Sequence, residues 1–384
     1  MKKMNTRIFS FVLFLMISSG IFLSANSEAD YIFLFEWRFS DTYFQTIGTA
    51  LGSKGNLYVV DRFAHCIRKF DSNGNFITKW GSFGTGDGNF FSPWGIAIDS
   101  FDNVYVADSS NSRVQKFDTE GNFLLKWGSR GDEDGQFNTP TCVAVDRGGN
   151  VYVTDRYANH VQKFNSYGNF MKKFENPHGW NGQFNYPCGI GVSSDGFVYI
   201  ADKLMDRILR FDTEGNFVNV WYGFRDPFAL AIDSKDKVYV GEEYPRFRIF
   251  DSNMNLIFKL ENWSYPTIGI AVDSLGFLYV NHWAGLFHKY VNPYQLTEKA
   301  SEPIDEIVQV GKLSLDDAKP LYTKIDRAIE KLLKGNIKAT CNQLQSLINQ
   351  VNAYMNEGLL ASEDGEILIQ FFYDLIFHMS NRDF

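Results

Sequence analysis

Three groups of residues in this chain have the types and spacing for chemistry: six histidines, a set of regularly spaced aspartates, and a run of cations beside aromatics. The histidines are His65, His160, His178, His282, His288 and His378. A catalytic zinc takes three protein ligands, commonly imidazoles. Here no pair of histidines has a metal-ligand spacing, and they occupy different positions within the repeats described below. The aspartates Asp61, Asp108, Asp155 and Asp202 recur in register. Their regularity argues against a catalytic ring, because a residue needed in every repeat serves loop backbone, which aspartate readily bonds. Asp132, Glu133 and Asp134 place three carboxylates together, but without the alternating oxygen-ligand spacing of a calcium loop. No catalytic residue and no cofactor is expected; calcium and zinc are the alternatives. The four cysteines, Cys66, Cys142, Cys188 and Cys341, contain no CxxC pair. Cys142 and Cys188 start inner strands of neighbouring repeats, either as buried thiols or as a disulfide whose geometry the sequence does not give.

A site on a repetitive scaffold must break the repeat. Immediately after the repeated acid the chain carries Arg62, Ser109, Arg156, Lys203, Glu243 and Trp283; the next position carries Phe63, Ser110, Tyr157, Leu204, Tyr244 and Ala284. Aromatics beside arginine or lysine suit peptide, carboxylate or sugar contacts. The candidate ligand-binding residues are therefore Arg62, Phe63, Arg156, Tyr157 and Lys203. Variable loop residues without a ligand remain the alternative. Three cations on an acidic protein favour an anionic group on the ligand. They fall in repeats one, three and four, so they are expected to spread over part of a rim rather than form one tight pocket.

What must position these residues is a six-fold phrase. Its tyrosine recurs as Tyr58, Tyr105, Tyr152, Tyr199, Tyr239 and Tyr279, at spacings of 47, 47, 47, 40 and 40. Short runs of alternating apolar and polar residues, with no 3.6-residue period, read as strands. Strands repeating at this period are the signature of a propeller blade. Gly74, Gly121, Gly168 and Gly215 mark one hairpin turn per repeat. Three repeats add a connection, Gly81–Pro93, Gly128–Pro140 and Glu175–Pro187, each expected to bury an aromatic plug at Phe90, Phe137 or Phe184. Tyr31–Trp37 (YIFLFEW) resembles the outer strands Asn75–Trp80 and Asn122–Trp127, yet precedes the first repeat, while the last repeat lacks an outer strand. The N-terminal strand is expected to complete the last blade and close the ring, removing an exposed edge.

Lys2, Lys3 and Arg7 followed by the apolar Ile8–Leu23 read as a signal peptide, residues 1–25; retention as a membrane anchor is the alternative. Its removal takes away three positive charges and moves the net charge from −8 to about −11. That balance disfavours nucleic acid, whose phosphates need clustered basic residues. The protein is read as secreted or held at the cell surface. Asn262–Trp263–Ser264 is an N-glycosylation sequon. Residues 293–313 have no strand period, carry Pro293 and Pro303, and read as a linker. Residues 314–384 read as three or four helices, with a cap at Ser314, a helix start at Pro320, an apolar stripe through Cys341, Leu344, Ile348 and Val351, and a last helix from Ser362.

The phrase VYVADSSNSRVQKFDTEGNF (Val104–Phe123) and the segment GDEDGQF resemble the NHL-repeat family, over residues 31–292. The resemblance implies a mainly β fold: a six-bladed β-propeller closed by an N-terminal strand, followed by a small all-α domain. The tail IDRAIEKLLKGNIKATCNQLQSLINQVNAY (Ile325–Tyr354) resembles the FIMAH domain, a helical module at the C-termini of exported proteins. That likeness implies an accessory role in attachment or interaction, including association with the cell surface. NHL propellers include RNA binders, extracellular sensors or adhesion surfaces, and lyases such as the peptide-amidating lyase, which holds zinc through histidines in its central channel. The reading favoured here is a binding module for an extracellular protein, peptide or glycan; a metal-dependent lyase is the alternative.

Overall fold

The computed structural model describes residues 31–38, 46–178, 183–243, 246–261, 266–282 and 285–379. The signal-peptide reading, the sequon, Tyr244, Trp283 and Ala284 lie outside the described residues. Six four-stranded antiparallel sheets form, five of them each built from one repeat. Blade 1 runs Thr46–Leu51, Leu57–Asp61, Cys66–Phe70 and Phe76–Trp80, from the axis outward. The sixth sheet takes its fourth strand from the start of the chain. Strand β1 (Ile32–Arg38) pairs antiparallel with Leu286–Val291, from Ile32 opposite Val291 to Arg38 opposite Leu286. Closure by the N-terminal strand is thus present as the sequence indicates.

The repeated residues are the glue between strands and blades. All six marker tyrosines are buried. Tyr105, Tyr152 and Tyr239 donate their hydroxyls to Asp99, Asp146 and Asp233 at 2.9–3.0 Å, which satisfies the one polar atom each ring takes into the core. Phe90, Phe137 and Phe184 plug the blade junctions, 5.5–5.8 Å from Phe117, Phe164 and Phe211.

The inner strands come unusually close to one another. A Cβ at Gly48 would stand 2.5 Å from the Trp94 carbonyl oxygen, and one at Gly269 would stand 2.8 Å from that of Ile47. Gly189 meets Phe228 and Leu230 at 2.8 Å in the same way. Only glycine permits that approach. It leaves an axial cavity of about 60 Å³, lined by residues such as Thr49, Gly95, Cys142 and Ile270, room for no more than a few waters.

Four helices follow: α1 (Pro293–Gln309), α2 (Leu315–Leu333), α3 (Ile337–Asn356) and α4 (Ser362–Met379). The linker expectation for 293–313 is corrected, since most of it is α1. Leu296, Ala300, Ile304 and Ile307 form a buried stripe at three- and four-residue steps. The two prolines concealed that period: Pro293 starts the helix, and Pro303 lies within it at the loss of a ladder bond. Pro320 likewise falls inside α2 rather than opening a helix; Ser314 is the cap, accepting from Asp317 N at 3.1 Å. Cys341, Leu344, Ile348 and Val351 are buried on α3 as their spacing indicates.

The helices do not hang free. Leu296, Ala300 and Ile304 share one apolar core with Phe70, Ala271, Phe277 and Val291 of blades 1 and 6. His378 of α4 stacks on Phe277 at 5.3 Å, and Lys289 donates to the His378 and Ser72 carbonyls at 2.5 and 2.9 Å. Gln295 packs on Gly276, and Glu298 pairs with Lys235. These contacts all fall at the propeller end formed by the first and third turns of each blade.

Candidate functional site

The other end carries the loops after the second strand of each blade and the blade-to-blade connections. The repeated acids organise it. Asp61 accepts from Ala64 N at 3.1 Å and Arg68 Nε at 3.0 Å. Asp155 accepts from the backbone N–H groups of Asn138, Thr139 and Ala158 at 2.6–3.1 Å. Asp108 takes Phe91 N and Arg113 Nε; Asp202 takes Asn185 N and Arg207 Nε; Glu242 takes Arg225 N and Arg248 Nε. Asp61 ties its own loop to the third strand, and Asp108, Asp155, Asp202 and Glu242 stitch their loop or third strand to the preceding connection. Burial raises the pKa of Asp108, Asp202 and Glu242, and the donors around them work the other way. Their oxygens are committed to structure.

With the acids holding the loops, the variable residues converge. The Arg62 and Arg156 guanidinium carbons lie 4.4 and 4.2 Å from the centre of one ring, Trp94. They are therefore no further apart than twice that distance, though they belong to blades 1 and 3. Blade 2 between them offers only Ser109, whose hydroxyl turns to the Pro140 carbonyl at 2.5 Å, so both long side chains lean over Trp94. Arg156 also lies 4.7 Å from Tyr157 and 5.4 Å from Tyr186. Lys203 continues the arc over Tyr186 and Phe228, at 5.4 and 5.5 Å. Trp94 and Phe228 come from opposite blades and meet at 6.3 Å, capping the axial cavity together with Ile47, Cys188 and Ile268.

This differs from the expected scatter along a rim. Arg62, Arg156 and Tyr157 gather at the mouth, because Trp94 and Tyr186 give the cations a common surface. Lys203 belongs to the same arc, but its charge is taken by Glu243. Burial alone would lower its pKa; the bond to Glu243 raises it. Phe63 stands 60 % exposed beside Arg62 and makes none of these stacking contacts. Trp94, Tyr186 and Phe228 escaped the sequence reasoning. For Trp94 and Phe228 the signal was present at the position opening each inner strand, where Ile47, Trp94, Thr141, Cys188, Phe228 and Ile268 vary from blade to blade as a site should; Tyr186 lies two residues before that position.

Arg156 is 8 % exposed and Trp94 6 % exposed. The buried Nε of Arg156, the buried Nε of Arg62 and the indole Nε1 of Trp94 have no acceptor among the described residues. Burial, and then the like charge of Arg156, lower the Arg62 pKa. Two guanidiniums sharing a half-desolvated site, with no carboxylate paired to either among the described residues, are arranged to receive an anion.

The metal alternatives fit less well. The channel lining offers the Cys142 thiol and the Thr49 hydroxyl but no imidazole or carboxylate, and no cluster of three metal-ligating side chains occurs among the described residues. Asp132 accepts from Asn138 Nδ2 at 2.5 Å and Asp134 pairs with Lys173 at 3.3 Å, so the acidic triplet is engaged in its loop. Cys142 and Cys188 are free thiols, with burial pushing Cys142 up to about 12.

The model of the NHL repeat matches residues 90–117 and 137–164. The chain carries NHL repeats in a six-bladed propeller followed by a helical domain. No curated protein sequence matches it. Among solved structures it is similar to a catalytically inactive virginiamycin B lyase from Staphylococcus aureus in complex with quinupristin, at 12% identity and a TM-score of 0.52, covering 68% of this chain and 99% of that one. It is similar to a gluconolactonase from Xanthomonas campestris at 14% identity and a TM-score of 0.51, covering 67% and 88%. At these identities the likeness concerns the propeller fold.

Proposed function

We propose that the protein is an exported NHL-repeat propeller that binds an extracellular protein, peptide or glycan at its open end. The observation that carries this reading is the half-buried Arg62 and the buried Arg156 around Trp94, each with a buried Nε that has no acceptor among the described residues, beside the exposed Tyr157. Arg62, Phe63, Arg156, Tyr157 and Lys203 form the binding end, with Trp94 and Tyr186 as its floor. Export is supported by the leader-like residues 1–25 and the acidic balance. The FIMAH-like helices, seated at the opposite end, leave the binding end open and supply attachment to the cell surface. A metal-dependent lyase would need ligands that the described channel residues do not provide.

The test is a peptide and glycan array probed with the full mature chain and with an Arg156→Ala, Tyr157→Ala double variant. Truncating such a buried cation and its ring partner is expected to cost about 1–3 kcal/mol of binding. Binding that is detected but unaltered by the substitutions places the site elsewhere. Turnover that depends on bound metal restores the lyase reading.

A further inference from the structure

Resting on that open-end reading, we infer that Arg62, Arg156 and the indole N–H of Trp94 form a subsite for one carboxylate of a peptide.

The donors come first. Nε of Arg62, Nε of Arg156 and Nε1 of Trp94 are all buried, and none has an acceptor among the described residues. A buried donor left without an acceptor is a cost that a ligand able to accept from it removes. One orphan indole is unremarkable here, because Trp80 and Trp127 on the outer strands also lack an acceptor. At Trp94 the orphan indole adjoins two guanidinium groups whose buried Nε is likewise without an acceptor, and both cations share its ring. One carboxylate at that edge brings two oxygens with several lone pairs and a charge opposed to both arginines.

The surroundings decide between peptide and sugar. Rings and arginines alone suit either ligand, but a sugar also presents many hydroxyl donors, which call for free acceptors such as carboxylates and carboxamides. The repeated acids at the mouth, Asp61, Asp108, Asp155 and Asp202, are turned inward onto backbone N–H groups and arginines. The exposed carboxylates of this end belong to the connections, where Asp87 and Asp134 pair with Lys126 and Lys173 of the outer strands, while the end also exposes Phe63, Phe83, Phe91, Tyr157 and Leu204. Rings and aliphatic chains flanking an anion site suit the side chains of an extended peptide. Glu243, already paired to Lys203, sets an acidic limit to the subsite on that side.

The test uses immobilised full mature chain and three pools of N-acetylated hexapeptides of randomised sequence, read by mass spectrometry of the retained fraction. One pool lacks Asp and Glu and ends in a free carboxylate. A second is amidated and carries one Glu at the third position. A third is amidated and lacks acids. Retention of the first or second pool at least tenfold above the third is expected; the pool retained tells a terminal from a side-chain carboxylate. An Arg62→Gln, Arg156→Gln variant with an unaltered melting profile is expected to lose that tenfold difference. Equal retention of all three pools overturns the carboxylate assignment while leaving the binding end in place. Retention of a glucuronate-containing oligosaccharide through the same arginines, with no peptide retained, overturns the peptide assignment. If neither peptides nor oligosaccharides are retained by the parent chain, the binding-module reading fails with it, and the three donors are served by water.

Discussion

Replacing Gly95 by alanine asks whether the inner strands really close the axis by backbone contact. In an ordinary strand this exchange stabilises by roughly 0.5–1 kcal/mol, because glycine loses more conformational freedom on folding. At Gly95 an added Cβ would stand 2.7 Å from the Cα of Cys142 and would also press on the Thr141 carbonyl oxygen, whereas ordinary contact begins at 3.4 Å. Both obstacles are backbone of blade 3, held in its own sheet, so no flexible side chain can swing away. Overpacking of this kind costs about 1–3 kcal/mol. The rigid obstacle puts Gly95 at the upper end of that range, so the clash outweighs the entropic gain. For a domain of this size each kcal/mol lowers the melting temperature by about 2–4 °C. Differential scanning calorimetry of Gly95→Ala against the parent measures it. Cys142→Ala is the control, because that register position in blade 3 already carries a side chain lining the cavity and loses only a sulfur. A Gly95→Ala melting temperature equal to or above the parent would refute the closed-axis argument, and with it the reason for placing the ligand at the mouth rather than in the channel.

Three further outcomes are expected. Deleting residues 31–38 strips the partner from Leu286–Val291 and should lower the melting temperature and promote association through the bared edge; a monomeric variant with unchanged melting contradicts closure. Asp202→Ala leaves Arg207, nearly fully buried, without its carboxylate and should cost about 3–5 kcal/mol, measured by urea unfolding; a loss of binding with stability intact would instead make the repeated acid functional. Burial and the Lys289 ammonium hold the His378 pKa at about 3, below its ordinary 6.5, even with Asp273 3.7 Å away. The neutral ring is therefore favoured by the folded state. Its contribution is complete above pH 6.5 and is lost as pH falls toward 3, by about 1.4 kcal/mol per unit within that window. Urea unfolding of parent and His378→Gln at pH 7.5 and 5.5 checks this, and an equal pH dependence in both chains counts against it.

The repeat was legible because strand alternation and a fixed period are written residue by residue. Tyr58 and its five counterparts, the plug Phe90 and the Tyr31–Trp37 strand each carry a local pattern that only one architecture satisfies. The site was half legible. Arg62 and Arg156 announce themselves by breaking the register, but nothing in a linear sequence places two residues 94 positions apart over one indole. That meeting depends on Ser109 being small and on Trp94 standing at the axis, which are facts of packing. The helix α1 was hidden for the opposite reason: Pro293 and Pro303 are strong local signals against it, and the stripe from Leu296 to Ile307 gains its value only from the apolar surface of blades 1 and 6.

Strand polarity explains why the two ends of this propeller can serve different purposes. In blades 1 to 5 the first and third turns lie at one end, and among the described residues the second loops and the connections lie at the other. The first end is built from tight turns such as Asp71–Asn75, whose Asp carboxylate binds the N–H groups of Asn73 and Asn75 and the Asn75 amide. A turn whose backbone is held by its own aspartate makes a rigid seat, and the helices use it, with Lys289 tying Ser72 to His378. At the other end the connections are longer, and the acids bind them from beneath. The residues just past those acids are then free to differ, because fold stability no longer depends on them. Variation is tolerated there, cations and rings collect there, and donors without protein acceptors survive there; a scaffold that spends its repeated residues on structure leaves its function to the positions that do not repeat.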